Sequence, residues 1–439
     1  MRAADRREPE RMTIVDLTQD GRGVARPEGK IMFVEDALPG ETVDVVCLKR
    51  RRNHDEGRAV ALLEAAADRV EPLCPHFGVC GGCSLQHLSG PGQRAAKQKV
   101  LLDNLQRIGQ VEPETVFEPV SGPDAGYRRR ARLGVRYVDK KGRVLVGFRE
   151  RAKSYVADLD GCPVLAPPAD QLIRPLAELV GSLSIRRRLA QVEVSVADNR
   201  AAFVLRVLDP PTVEDLARLE AFERAHDVDL YLQPKGPETV HPLSASAPPL
   251  RFGLPEFDLE YEFLPTDFIQ VNGALNRKMV NRAMELLAPG PGQRILDLFC
   301  GLGNFTLPIA RLGAVAVGVE GDAALIARAR ANAERNGLSA QAEFHLANLF
   351  EDCSDLPWLR EAADAVFLDP PRAGAQEILA AMAQTGARRL VYVSCHPGTL
   401  ARDAGILVSQ HGFRLRGAGI MDMFPHTAHV ESIALFERD

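Results

Sequence analysis

Gln293-Arg-Ile-Leu-Asp-Leu-Phe-Cys-Gly-Leu-Gly-Asn304 is the stretch on which the fold turns. Its apolar first half reads as a buried strand, and Gly301-x-Gly303 permits a tight turn with close backbone approach before a helix from Phe305 to Leu312. G-x-G alone is a weak nucleotide-site signal, and Thr306 stands where a dinucleotide fold carries its third glycine. Asp297, near the strand end, suits a ligand ammonium better than a pyrophosphate. Glu320, which ends a second strand from Val315 to Val319, is placed to accept from ribose hydroxyls. Both favour S-adenosylmethionine over NAD; a plain strand-end acid is the alternative for Asp297.

Downstream, strands and helices alternate. A helix is expected from Ala323 to Asn336. A strand Ala365-Val-Phe-Leu368 leads into Asp369-Pro-Pro-Arg372, and Leu390-Val-Tyr-Val-Ser394 leads into Cys395-His396-Pro397. Such alternation marks a doubly wound parallel sheet, in which ligands bind at the carboxyl ends of the strands. Cys395 at such an end is placed to be a nucleophile; a small buried core thiol is the competing reading.

Upstream the texture differs. Residues 11 to about 66 form short alternating stretches separated by Gly21-Arg-Gly23 and Pro39-Gly40, as in a small all-β barrel with Lys49–His54 as a basic loop. Such barrels bind RNA strands or serve as structural caps. Cys74-Pro-His-Phe-Gly-Val-Cys80-Gly-Gly-Cys83 packs three thiols into one loop, and Cys162 offers a fourth from far away. That set suits an iron–sulfur cluster better than zinc, whose sites favour matched C-x2-C knuckles; a loop without metal is the third possibility. Helical spacing from about Gly92 to Ile108 ends at Gly109. An α+β mixture follows over 127–262, with a loop from Lys235 to Pro255.

The chain has 439 residues, 46% of them apolar, which is enough for two or three domains. No apolar run reaches membrane-spanning length and Met1–Arg7 lacks a signal-peptide core, so a cytoplasmic protein without membrane association is expected. Eight cysteines in such a chain argue against a disulfide framework. The net charge of −5 hides a polarised block: Tyr127–Lys153 carries eleven Lys/Arg against Asp139 and Glu150, a balance of +9. It either holds phosphates or is a solvated basic face.

Asp297-Leu-Phe-Cys-Gly-Leu-Gly-Asn-Phe-Thr306, Phe367-Leu-Asp-Pro-Pro-Arg-Ala-Gly374, Val393-Ser-Cys-His-Pro-Gly-Thr-Leu-Ala-Arg-Asp403 and His429-Val-Glu431 together resemble the RNA uracil-C5 methyltransferase family. With the barrel and the four cysteines, the resemblance covers the whole chain. It points to the branch acting on 23S ribosomal RNA (a 1939-type site) rather than the tRNA branch, which lacks barrel and cluster. The resemblance implies a multidomain chain: a TRAM, OB-like RNA-binding β-barrel over 6–67; a central α+β iron–sulfur and RNA-binding domain over 68–262, whose helix at about 92–109 packs on the catalytic domain; and a Rossmann-like class I methyltransferase domain over 263–439. It implies S-adenosylmethionine contacts from Gln270, Phe299, Asn304, Glu320, Asn348 and Asp369. Cys395 is then the nucleophile and Glu431 the base, although position alone would make Glu431 a surface acid. A 4Fe-4S cluster on Cys74, Cys80, Cys83 and Cys162, and a monomer partnered by 23S ribosomal RNA, complete the expectation. His396 departs from the family, where asparagine is frequent, and an imidazole there bears on thiol acidity. His426 and His429 are candidates for assisting roles. Other targets within this chemistry are another rRNA or tRNA uracil, or a cytosine. A non-catalytic RNA-binding iron–sulfur protein is the reading from a different class.

Overall fold

The computed structural model describes residues 8–245, 247–353 and 356–439; Met1–Arg7, including the first two residues of the expected barrel, lie outside them. The chain divides into two compact units. The first runs to Val100 and takes in Arg149–Ser154 and Phe424–His429; the second comprises Leu101–Phe148, Tyr155–Met423 and Val430–Asp439.

Among the described residues of the first unit, six strands form one sheet in the order Glu10–Thr13, Thr42–Arg50, His54–Glu64, Ile31–Glu35, Gly23–Ala25, Asp16–Leu17. Its two outermost strands are halves of one continuous stretch, so the sheet curls around Met12, Ile14, Met32, Val34, Val43 and Val45. Alternation decides which side chains enter that core: in Ile31–Glu35 only Met32 and Val34 are buried. Glu41 is buried there as well, stabilised by the Arg69 guanidinium and the Leu38 N–H.

In the second unit a six-stranded sheet runs in the order His241–Pro242, Asp229–Gln233, Ala201–Val207, Leu189–Val196, Arg130–Val138, Arg143–Gly147. The strands expected at 130–137, 144–148, 191–196 and 202–208 all appear within it, shifted by a residue or two at their ends.

The larger sheet of this unit is built from β1 (Arg294–Leu298), β2 (Val315–Glu320), β3 (Ala342–Leu346), β4 (Ala365–Leu368), β5 (Arg389–Ser394), β6 (Arg414–Met421) and β7 (Glu431–Glu437). Among the described residues its order is 3-2-1-4-5-7-6, with the short strand Thr115–Val116 added beyond β6. The first five strands are parallel, and all side chains of β4 are buried, as a sheet covered on both faces requires. β7 enters antiparallel between β5 and β6. No helix among the described residues is long and apolar enough to cross a membrane.

Candidate active site

The carboxyl ends of β1, β2, β4 and β5 carry the candidate residues, because a parallel sheet points all these ends the same way. After β1 the chain turns sharply: Phe299 has φ 68°, Gly301 55° and Gly303 92°. The turn is held to β2 by the Phe299 and Cys300 N–H groups, both donating to Val319 O. Nothing lies within 4 Å of where a Gly301 Cβ would stand, which leaves open space above the turn. Glu320 accepts from Gly301 N at 3.1 Å on one carboxylate oxygen, and from Gly321 N at 2.7 Å and Asp322 N at 3.2 Å on the other. It is therefore rigidly aimed at the glycine turn.

Asp297 is completely buried. Thr306 Oγ1 donates to its Oδ2, whereas Oδ1 has no hydrogen-bond partner, an orphaned acceptor that a ligand N–H would satisfy. Burial pushes this carboxyl up to about 7. Asn304 forms a reciprocal amide pair with Asn276, at 2.9 and 3.0 Å. Gln270 Nε2 reaches Asp369 Oδ2 at 3.4 Å, and the Phe299 and Phe350 rings stand 5.6 Å apart. Asn348 is exposed; its amide donates to Glu351 at 2.7 Å and its oxygen accepts from Phe350 N.

Register brings the other half together. The β5–β7 ladder ends at the pair Ser394–Ser432, and Cys395 and Glu431 are the next residues of the two segments beyond it. Glu431 is buried, and burial followed by the charge of Asp369 raises its carboxyl well above the usual range. Asp369, just beyond β4, is pushed up to about 7 by burial and then by Asp297. Burial, then Glu431 and Asp369, raise the half-buried Cys395 thiol to about 11, while Arg372 pulls it down. Acidic groups crowded in a buried site hold on to their protons, and each ionises more readily once a cation binds among them. The helix Pro397–His411 starts two residues after Cys395, and its N-terminal end favours a thiolate.

His396 caps that helix. Its Nδ1 accepts from Thr399 N at 3.2 Å, and Thr399 Oγ1 and Ser394 Oγ donate to its carbonyl. Asparagine is a strong N-cap for the same reason, so the departure preserves a structural function. His426 and His429 fall in the first unit. There the His426 N–H donates to Gln93 and its carbonyl accepts from Ser84 and Leu85, while His429 stands against the Phe424 ring.

The basic block divides by role. The Arg129 N–H donates to Val271 O and its guanidinium pairs with Asp198; Arg130 donates to Pro265 O. Both thus brace the loop carrying Gln270. Arg132 pairs with Glu193, Lys141 and Arg143 with Asp158, Arg151 with Asp36, and Lys153 with Glu150. Six of the eleven basic side chains of the block are thus paired with acids, one of them only three residues away.

Cys74, Cys80 and Cys83 are half-buried on one compact turn, where Phe77 N donates to Cys74 O and Cys80 N to His76 O. Gly82 N–H lies 3.4 Å from Cys80 Sγ, and Cys74 N donates to Gln86. Cys162 is buried in the second unit. Among the described residues no group of three or more His, Cys, Asp or Glu is gathered closely enough to hold a metal ion.

The pairing of Asn276 with Asn304 and of Tyr392 with Asp403 was not legible in the sequence. Asn276 reads as one more helical polar residue, and Tyr392 as core.

Residues 93–439 match the family model for tRNA (Uracil-5-)-methyltransferase. The 23S rRNA (uracil(1939)-C(5))-methyltransferase RlmD of Aromatoleum aromaticum is 52% identical over 428 residues, covering 97% of this chain and 99% of that protein. RlmD of Xanthomonas campestris pv. campestris is 51% identical over 435 residues, covering 98% of each. Among solved structures, the Pyrococcus abyssi tRNA (uracil-54, C5)-methyltransferase in complex with S-adenosyl-L-homocysteine aligns with a TM-score of 0.74 and 26% identity, covering 97% of this chain and 100% of that one. The aligned span of that tRNA enzyme includes the N-terminal region of this chain. A match across four-fifths of the sequence, with half the residues shared by full-length relatives, means that this chain belongs to the tRNA (uracil-5-)-methyltransferase family.

Proposed function

We propose that the protein methylates carbon 5 of a uracil in 23S ribosomal RNA, at the 1939-type site, with S-adenosylmethionine as donor and as a monomer in the cytoplasm. The observation that carries the chemistry is the register of β5 and β7, which sets a thiol and a buried carboxyl at adjoining strand ends beside Asp369. Identity of 50–53% to RlmD proteins over nearly the full chain carries the choice of RNA.

Carbon 5 of uracil is too weak a nucleophile to attack a methyl group unaided. Cys395 Sγ adds to carbon 6, and the resulting enolate makes carbon 5 carbanion-like. S-adenosylmethionine supplies an electrophilic methyl on a sulfonium. Asp297, Glu320, Gln270, Phe299, Asn304, Asn348 and Asp369 would hold it, and the partnerless Asp297 Oδ1 and the open space above Gly301 fit that ligand; carbon 5 would take the methyl as the methyl–sulfur bond breaks, leaving S-adenosylhomocysteine. Ionised Glu431 then removes the proton from carbon 5. The electrons left behind expel Cys395 from carbon 6, regenerating the thiolate and releasing 5-methyluridine. The target base must leave its stack to reach the pocket.

The curled N-terminal sheet is read as a TRAM-type RNA-binding barrel over 6–67, ahead of an iron–sulfur and RNA-binding domain over 68–262 and the methyltransferase domain over 263–439. Cys74, Cys80, Cys83 and Cys162 would hold a 4Fe-4S cluster. The soft donor set and the Gly82 N–H near Cys80 Sγ support that reading. Anaerobic purification with iron and sulfide analysis tests it, and a colourless protein carrying stoichiometric zinc would overturn it.

Release of tritium from 5-tritiated uridine in 23S rRNA, dependent on S-adenosylmethionine, tests the activity. No release despite confirmed RNA and donor binding would sink it. Cys395→Ala is expected to abolish release while leaving donor affinity near normal, and Glu431→Gln to accumulate a covalent RNA adduct. Mapping 5-methyluridine in rRNA from a deletion strain tests the position.

A further inference from the structure

Asp403 lies in the second turn of the helix after Cys395. Its side chain is completely buried, yet it contacts no reacting atom in the scheme above. Its Oδ2 accepts from Tyr392 Oη at 2.7 Å and from Ala375 N at 2.8 Å; its Oδ1 accepts from Arg402 Nε at 2.8 Å. Arg402 Nη2 in turn donates to Ala373 O at 2.9 Å. Three segments meet at this one carboxylate. Tyr392 is in β5, three residues before Cys395. Arg402 and Asp403 are on the helix that follows it. Ala373 and Ala375 close the loop that begins with Asp369 and carries Arg372. Gly374, at φ 85°, makes the approach possible, because a Cβ there would stand 2.5 Å from Arg402 Nη2 and 2.7 Å from Asp403 Oδ2.

A buried carboxylate with charge-assisted partners on every side is costly to disturb and geometrically stiff. This one does not tie the fold together at a remote point. It joins the two segments whose separation sets how Arg372 and Asp369 face the Cys395 thiol. Arg372 is the positive charge that favours the thiolate, and Asp369 one of the two carboxylates that oppose it.

We propose that Asp403, with Arg402 and Tyr392, is a positioning residue of the methyl-transfer site: it clamps the 369–375 loop onto the strand and helix flanking Cys395 and so sets the reactivity of the thiol. The proposal rests on Cys395 being the nucleophile. Asp403→Asn puts an amide N–H where a donor must be accepted. Tyr392→Phe removes one donor while keeping the ring that packs the core.

The test uses the full-length protein and two readouts. The first is the pH dependence of iodoacetamide alkylation at Cys395, resolved by peptide mass spectrometry, which needs no turnover. The second is kcat and KM for rRNA, with S-adenosylmethionine affinity measured by calorimetry. Both variants are expected to need a higher pH for half-maximal alkylation of Cys395. Both should lose about 10- to 100-fold in kcat, the scale of a misplacement near 1 Å, with donor affinity within about 2-fold of the parent. A merely structural role would lower the melting temperature but leave the alkylation profile where it was. An unshifted profile with parental kcat in Tyr392→Phe would overturn the proposal, and this isosteric variant decides the matter if Asp403→Asn does not fold. Full turnover by Cys395→Ala would overturn the nucleophile reading instead, while a shifted alkylation profile would still show the clamp.

Discussion

In the proposed reaction Cys395 ionises to add to uracil, yet burial, Glu431 and Asp369 push its thiol up to about 11. Glu431, the proposed base, must then be ionised as well, and its carboxyl also sits well above the usual range. Both groups lose protons only as pH rises, so the single-turnover rate is expected to climb with pH. A flat profile between about 6 and 9 would contradict this assignment of roles. Asp297 carries a stability consequence. Its folded value of about 7 lies above its ordinary 3.8, so the folded chain keeps a proton that the unfolded chain gives up. Stability therefore falls as pH rises from about 4 to about 7, and the cost persists above that window. Asp297→Asn, with no proton to lose, is expected to be more stable than the parent at pH 8 by on the order of a few kcal/mol, with no gain at pH 4, measured by denaturant unfolding. At His396, asparagine should be tolerated with little change in stability, whereas His396→Ala should cost about 1 kcal/mol through loss of the cap. The motif residues were legible because their types are chemically demanding. The orphaned Asp297 Oδ1 was not, since it depends on what else is packed around β1.

Among the elements, β1, β2, β4 and β5 could be read from sequence because buried parallel strands are continuous apolar runs bounded by breakers. β3, β6 and β7 were not anticipated. Ala342–Leu346 carries Glu343 and His345, which blur the apolar pattern, and nothing local says that β7 inserts antiparallel between β5 and β6. That insertion is what converts Glu431 from an apparent surface acid into a buried partner of Cys395. The helix Gly273–Leu287 holds a second case, where Asn276 spends its amide on Asn304. Asn276→Ala is expected to weaken S-adenosylmethionine binding about tenfold, because it leaves the Asn304 amide unsatisfied on both sides. Unchanged affinity by calorimetry would show that the pair only supports the fold.

For the whole molecule, the basic block shows what composition conceals. Arg129 and Arg130 brace the Gln270 loop, and several others are paired with acids. Arg136 and Lys140 are exposed and carry no such ion pair among the described residues. Arg136→Ala with Lys140→Ala should therefore reduce the salt dependence of rRNA binding, by roughly one unit of slope for each phosphate no longer neutralised. Arg130→Ala, which removes the guanidinium that donates to Pro265 O, should leave the slope alone and impair donor binding instead. Equal slopes for the parent and both variants would place the RNA path elsewhere. The sequence by itself determined the class of sheet, because a glycine turn and strand-end acids are short-range patterns, and it reached the chemistry through the resemblance that its motifs bear to a known family. Tertiary structure alone decided which groups face each other: Glu431 beside Cys395, Asp403 under the Asp369 loop, arginines against distant carboxylates. Those pairings join residues tens of positions apart or more, and strand register and burial, which no local pattern encodes, bring them together.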